Sequence, residues 1–348
     1  MAVTIKDVAK LANVAPSTVS RVIANSSRIS ERTKERVREA MEELGYHPNF
    51  NARSLVNQQT NTLGVIIPSS AKIAFQNPFF PEVIRGITSK AYLEKFGLYL
   101  STGQTENEIL EEVRQMVQSR RVDGILLLYS KVDDKVINYL IEEDFPFVLI
   151  GRPYEAEAMN VSYVNNDNLK AAKTVTEYLL LLGHENIGFI GGNLDYVVTR
   201  DHKEGYQQAL KKAGVESKEE YIVYYDEIQE GGQEAVIELM SLKTPPTALV
   251  VADDLMALGV LRMLDEMEIS VPEEMSVVSF NNVMLSELSS PPLTTVDIHI
   301  YELGFQATDC LIKKIHDPKQ PTKKIIVPHK FIKRQTCRKR IPEKEISS

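Results

Sequence analysis

Thr4-Ile-Lys-Asp-Val-Ala-Lys-Leu-Ala-Asn-Val-Ala-Pro-Ser-Thr-Val-Ser-Arg-Val-Ile-Ala-Asn25 reads as two short helices joined by a tight turn. Ile5, Val8, Ala9 and Ala12 recur at helical spacing, and so do Val19, Val22 and Ile23. Thr4 suits the N-cap of the first helix. Pro16 suits the first turn of the second, where a missing N–H costs nothing. Ser17, Thr18, Ser20 and Arg21 are then left on the outer face. Small hydroxyls and one arginine on the exposed side of a second helix are what a major-groove reader needs. A three-helix bundle with a polar outer face would carry the same pattern, so the surroundings must decide.

A third helix is expected from Glu31 to Leu44, with Ser30 as N-cap and Gly45 as stop. Val37, Ala40, Met41 and Leu44 would close the small core, and Pro48 breaks the chain after it. Asn49-Phe-Asn-Ala-Arg-Ser-Leu-Val-Asn57 holds only two helical turns, too few to be stable alone. It is either a linker or a hinge that orders on DNA, with Leu55 as an apolar wedge in the minor groove.

Charge separates this head from the rest. Residues 1–60 carry nine Lys/Arg and six Asp/Glu, a net of +3, while the remainder has a net of −11. A basic head on an acidic body confines phosphate contact to the head. With so small an excess, affinity would come from doubling the head in a dimer. Two cysteines, Cys310 and Cys337, cannot build a disulfide framework and are expected to be reduced, as in cytosol. Neither a membrane-length apolar run nor a secretory leader is evident, so a cytoplasmic location is expected.

From Thr62 the pattern changes. Strands at Leu63–Ile67, Leu98–Leu100, Gly124–Leu128 and Phe147–Ile150 alternate with helices near Pro81–Phe96, Glu106–Gln118 and Asp134–Glu142. The alternation restarts near Val161. It continues with helices Leu169–Leu182, Lys203–Lys212, Gln233–Met240 and Leu255–Met267. The strands between them are Ile187–Ile190, Tyr221–Tyr225, Ala248–Val251 and Met275–Phe280. Continuous apolar strands between amphipathic helices predict an α/β fold, two doubly wound parallel-sheet lobes in tandem. A final strand–helix–strand, Leu293 to Ile332, is expected to cross between lobes. The expected domains are a helix-turn-helix head (1–48), a linker or hinge helix (49–60), a two-lobe body (61–340) and a tail (341–348). The first lobe would comprise about 61–161 and 293–323, the second about 162–292 and 324–340. Such lobes place a ligand cleft at the carboxyl ends of their strands.

These residues carry a resemblance. Residues 4–23, Leu44-Gly-Tyr-His-Pro48, Ala52-Arg-Ser-Leu55, Thr62-Leu-Gly-Val-Ile66, Val122-Asp-Gly124, Gly183-His184 and Leu293-Thr-Thr295 together resemble the lac/gal repressor family of bacterial transcription factors. The matches are ordered over nearly the whole chain. Gln76–Pro81, Val251–Gly259, Ser279–Val283 and Leu288–Leu293 look like its maltose-regulating branch in low-GC Gram-positive bacteria. The resemblance implies a periplasmic-binding-protein type body and a homodimer on a pseudo-palindromic operator. It implies base contacts from Pro16, Ser17 and Arg21, and phosphate contacts from Thr4, Thr18, Ser20 and Asn25. It also makes Leu55 the wedge of a true hinge. Ala15 departs from the family pattern of Ser, Thr or Gly and costs about 1 kcal/mol of capping.

A neutral sugar is held by carboxylates, amides and arginines, with aromatic faces against its C–H surface. The strand ends offer Asn77, Phe79, Phe80, Arg152, Tyr196, His202, Asp253 and Asn281. Phe79 and Phe80 could instead be core, and Arg152 a surface ion pair. Of the adjacent Asp253 and Asp254, the expectation is Asp254 as helix cap and Asp253 as ligand. His202 stands where most of the family has arginine, and Asn281 where many have aspartate. No nucleotide fingerprint, metal-ligand spacing or nucleophile elbow occurs, so no cofactor, metal or catalysis is expected. The reading is a repressor controlled by a small sugar, maltose or a maltodextrin. The rivals are co-repressor logic, a transport-type sugar-binding protein and a glycosidase.

Overall fold

A computed structural model describes residues 3–23, 26–46, 59–68, 75–154, 160–226 and 229–340. Residues 49–58 of the expected hinge, with Leu55, and the tail lie outside the described residues, as does Asn25.

The head is three helices, α1 (Ile5–Leu11), α2 (Pro16–Ile23) and α3 (Glu31–Glu43). The apolar positions that share a face bury together. Val8, Ala9, Ala12, Val19, Val22, Val37 and Ala40 form one core, with Ile5, Ile23, Met41 and Leu44 packed against it. Asp7 accepts from the Thr4 backbone N–H (2.9 Å) and hydroxyl (2.7 Å), tying down the start of α1. Ser30 accepts from Thr33 N–H at α3, and Gly45 takes a φ of 60° just past its end.

The body contains two six-stranded sheets. In chain order the first-lobe elements are β1 (Thr62–Ile66), α4 (Phe79–Leu93), β2 (Gly97–Leu100), α5 (Glu106–Gln118), β3 (Gly124–Leu127), α6 (Lys135–Glu142), β4 (Phe147–Ile150) and β5 (Tyr163–Asn165). The second-lobe run is α7 (Asn168–Leu181), β6 (Ile187–Gly191), α8 (Val197–Ala213), β7 (Ile222–Tyr224), α9 (Gln229–Met240), β8 (Ala248–Val251), α10 (Asp254–Glu266), β9 (Ser276–Asn281), α11 (Met284–Leu288) and β10 (Thr294–Asp297). The chain then returns through α12 (Ile300–His316), β11 (Lys324–Ile326) and β12 (Lys330–Ile332). The sheet orders are β11-β5-β4-β3-β1-β2 and β12-β10-β9-β8-β6-β7. The pairs are parallel except β10–β12. The two orders correspond position for position, so the duplication seen in the sequence is a duplication of topology.

The lobe boundaries differ from the expected ones. β5 belongs to the first sheet, not the second, and β10 belongs to the second, not the first. β11 returns to the first sheet before β12 joins the second. The chain therefore crosses between lobes three times, near 166, 298 and 328. β5, β11 and β12 are three-residue pieces. Such pieces carry too little periodicity to assign, and their sheet is fixed by long-range pairing. One side chain joins all three crossings. The buried Asn166 donates from Nδ2 to the carbonyls of Ile298 and Val327, both at 3.0 Å.

The first lobe seats α12 on α4 at close range. A side chain at Gly86 would strike the Tyr301 carbonyl, and one at Gly304 the Val83 carbonyl. Three helices also start two or more residues earlier than the sequence suggested, α4 by two, α8 by six and α9 by four.

Candidate functional site

Two sites were expected. On α2, Pro16, Ser17 and Arg21 are exposed, while Thr18 and Ser20 are half-buried. Thr4 is exposed at the start of α1. α2 packs its Val19 and Val22 inward, so these polar groups form its outer face. The Ala15 carbonyl accepts from Thr18 and Val19 N–H (2.8 and 3.2 Å), which starts the helix without a side-chain cap.

The second site lies where the strand ends of the two sheets face each other. After β1, the buried Asn77 accepts from Phe79 N–H (3.0 Å) and points its Nδ2 at Asp253 Oδ2, 3.5 Å away in the other lobe. Asp253 is the N-cap of α10, its Oδ1 accepting from Met256 N–H at 2.8 Å. This overturns the expected cap, which was Asp254. The neighbouring Asp254 is fully buried, accepting from Ser279 and Thr295 hydroxyls (2.5 and 2.6 Å) and Val283 N–H (2.8 Å). Sequence could not separate two adjacent aspartates, because the partners of Asp254 come from β9, β10 and the start of α11. Capping uses one oxygen of Asp253 and leaves the other turned toward Asn77. Burial raises the carboxyls of both, that of Asp254 to about 7.

Arg152, just past β4, forms an ion pair across the cleft with Asp201 on α8. Its Nε lies 3.1 and 3.2 Å from the two carboxylate oxygens and its Nη2 2.5 Å from Oδ1. The guanidinium is partly exposed and the carboxylate buried, so this is not the plain surface pair of the sequence alternative. Burial outweighs the attraction of Arg152 and leaves the Asp201 carboxyl above its ordinary value; the same pairing raises Arg152. Asp201 was missed. Its signal was the charged run Arg200-Asp201-His202, hidden because α8 was expected to begin at Lys203.

His202 is buried and stacks on Phe280, ring centroids 4.0 Å apart and planes 16° apart. With its ring removed from water its pKa falls to about 3, so it is a neutral ring over the whole neutral range. Asn281 ends β9 at a φ of 105° and is half-buried. Phe79 and Phe80 are half-buried, in edge contact at 5.3 Å, and pack partly on the core. Tyr196 precedes α8 and pairs with Lys131 in an isolated antiparallel bridge. The Lys131 ammonium sits 5.0 Å from its ring centroid. Val132 N–H donates to the Asp195 carbonyl (2.9 Å) and Val197 N–H to the Ser130 carbonyl (3.1 Å), so backbone hydrogen bonds join the lobes here. Lys131 was not singled out in the sequence, because its role depends on a loop of the other lobe.

The structure thus brings Asn77 to Asp253 and Arg152 to Asp201, from opposite lobes. It buries His202 against Phe280. Carboxylate, amide and guanidinium groups beside aromatic faces suit a neutral polyhydroxylated ligand. Among the described residues no cluster of three metal-binding side chains occurs, and no helix is long and apolar enough to cross a membrane.

Residues 4–49 match the model of bacterial regulatory proteins of the lacI family, and residues 176–337 match a periplasmic binding protein-like domain. The chain is 39% identical to the HTH-type transcriptional regulator MalR of Streptococcus pneumoniae, over 96% of this chain and all of the relative. Among solved structures it is similar to a complex of the transcriptional regulator CelR with cellobiose, at 31% identity and a TM-score of 0.76, covering 96% of this chain and all of that one. It is also similar to the lac repressor dimer bound to operator and the anti-inducer ONPF, at 25% identity and a TM-score of 0.84, covering 97% and 100%.

Proposed function

We propose, given that the chain belongs to the lacI family of bacterial regulatory proteins and is one of its DNA-binding transcriptional repressors, that its operator affinity is set by a small sugar, maltose or a short maltodextrin, held between the two lobes. The observation that carries this is two polar contacts made from opposite lobes, Asn77 with Asp253 and Arg152 with Asp201, with the half-buried ring of Phe79 following Asn77 and bonded to it through its N–H. These groups accept and donate to hydroxyls and offer flat apolar faces, and they come from both lobes. A ligand touching both lobes has different affinity for their different arrangements, which is the condition for shifting them. The name of the MalR relative supports maltose; the CelR complex supports another glucose disaccharide, cellobiose.

On the DNA side, Pro16, Ser17 and Arg21 read base edges while Thr4, Thr18, Ser20 and Asn25 hold phosphates. Leu55 kinks the operator centre. The working unit is a cytoplasmic homodimer on a pseudo-palindrome, as the lac repressor complex suggests. Exposed Tyr92 and Leu93 on α4, and Met284 and Leu288 on α11, are apolar surface that a second copy would cover. Sugar binding separates the two hinges and releases DNA.

Calorimetric titration with maltose, maltotriose, cellobiose, glucose, lactose and ribose tests the ligand, and gel shift with and without the binding sugar tests the sign. If no glucose-containing sugar binds below millimolar concentration, the maltose reading fails. If sugar strengthens operator binding, the logic is co-repression.

A further inference from the structure

Asp254 is a buried carboxylate that neither the cap of α10 nor the ligand contacts of the cleft account for. Its two oxygens bracket one short segment. Oδ1 accepts from the Ser279 hydroxyl at 2.5 Å, before the segment, and Oδ2 from Val283 N–H at 2.8 Å, after it. Oδ1 also accepts from the Thr295 hydroxyl at 2.6 Å. That hydroxyl oxygen in turn accepts from Asn282 N–H at 3.4 Å. Between these points the chain runs Phe280-Asn281-Asn282. Asn281 and Asn282 have positive φ, 105° and 53°. Residues other than glycine keep such a backbone only where their surroundings over-determine it. The Asn282 side chain adds two ties, donating to Asp297 Oδ2 at 3.2 Å and accepting from Arg334 Nη2 at 2.7 Å. Within the bracket, Phe280 carries the His202 ring and Asn281 is a candidate sugar contact.

From β9, β10 and the start of α11, Asp254 faces neutral donors, and Asp253 repels it from its own helix. Arg334 reaches Asn282 instead, and Asp297 is taken by Asn282 and His299. Burial, with the repulsion of Asp253, outweighs the three hydrogen bonds and raises the Asp254 carboxyl to about 7. The ionised form accepts from all three donors. Once protonated, it must turn one oxygen from acceptor to donor. The Val283 N–H cannot reverse, so a hydroxyl must, and the side of the bracket at Ser279 and Thr295 gives way.

We propose that Asp254 is the positioning residue of the second-lobe half of the sugar site, holding Asn281 in its positive-φ conformation by clamping the chain on either side of it. The assignment rests on the sugar-sensor reading above. Sugar affinity then depends on the charge of a side chain with no exposed surface of its own. The ionised clamp presents Asn281 to the ligand, and protonation slackens it.

The test is calorimetric titration of maltose into the full chain, Asp254→Asn and Thr295→Val from about pH 6 to about pH 8, with far-UV circular dichroism as the check on folding. Wild type should bind about tenfold more weakly at the acid end, the worth of one charge-assisted hydrogen bond. Asp254→Asn mimics the protonated carboxyl and should bind at that weaker level throughout. Thr295→Val removes a hydroxyl that favours the ionised form, so the midpoint of the fall should move to higher pH. A merely structural role would not move it. The clamp is overturned if wild type binds equally across the range, if Asp254→Asn keeps the wild-type affinity or the wild-type fall, or if the Thr295→Val midpoint stays in place. A fall kept by Asp254→Asn would belong to Asp253, whose carboxyl is also raised. If Asp254→Asn does not fold, the Thr295→Val midpoint decides. If wild type binds neither maltose nor cellobiose at any pH, the sugar reading falls first and the clamp with it.

Discussion

Asn166→Ala should loosen the join between the lobes by an amount the geometry bounds. Asn166 Nδ2 donates two hydrogen bonds of 3.0 Å, to Ile298 O and Val327 O, at the other two crossings. The side chain and both acceptor residues are buried. A net hydrogen bond is worth about 1 kcal/mol, and a buried acceptor left dry costs about 1–3 kcal/mol. If water partly replaces the amide, the loss should be about 2–4 kcal/mol. Asn166→Asp should cost more at neutral pH, because it sets a carboxylate oxygen against two carbonyl oxygens with no proton between them. The assay is equilibrium urea unfolding followed by far-UV circular dichroism, since the chain contains no tryptophan. A loss below about 0.5 kcal/mol for Ala, or an Asp variant as stable as the Ala variant, would refute the reading of Asn166 as the donor that ties three crossings.

Arg21→Ala should lower operator affinity by about 1–3 kcal/mol and relax the preference at one base pair per half-site, measured by competition with single-base operator variants; uniform weakening across all sequences would make Arg21 a phosphate contact instead. His202 should stay unprotonated, from its buried pKa of about 3 upward, while the unfolded ring titrates near 6.5. Its neutral form therefore contributes stability that is fully present above pH 6.5 and lost as pH falls toward 3. Compared with wild type, His202→Phe should show a shallower fall in urea stability across that window. Identical slopes would mean that the ring is not shielded from water.

Much of the architecture was legible because the signals are local. The head core follows from helical spacing at Val8, Ala12, Val19 and Val22, and α5 and β4 match their expected bounds residue for residue. The strands of the two sheets are apolar runs because both faces are covered by helices. The cleft residues could be named because they follow those strands. Their partners could not, since Asp201 meets Arg152 and Lys131 meets Tyr196 only when two lobes close on each other.

By itself the sequence determined that a basic three-helix head precedes two α/β lobes, since charge, periodicity and capping act within a few residues of each other. Only the tertiary structure decided which aspartate caps α10. Oδ1 of Asp253 reaches Met256 N–H, while Asp254 turns inward to three donors from distant strands and loops. The tertiary structure also decided the lobe membership of β5, β10 and β11, and the three crossings that Asn166 holds together. These hydrogen bonds join residues 25 to 41 positions apart at Asp254 and 132 and 161 positions apart at Asn166, and no local pattern encodes which of them will meet.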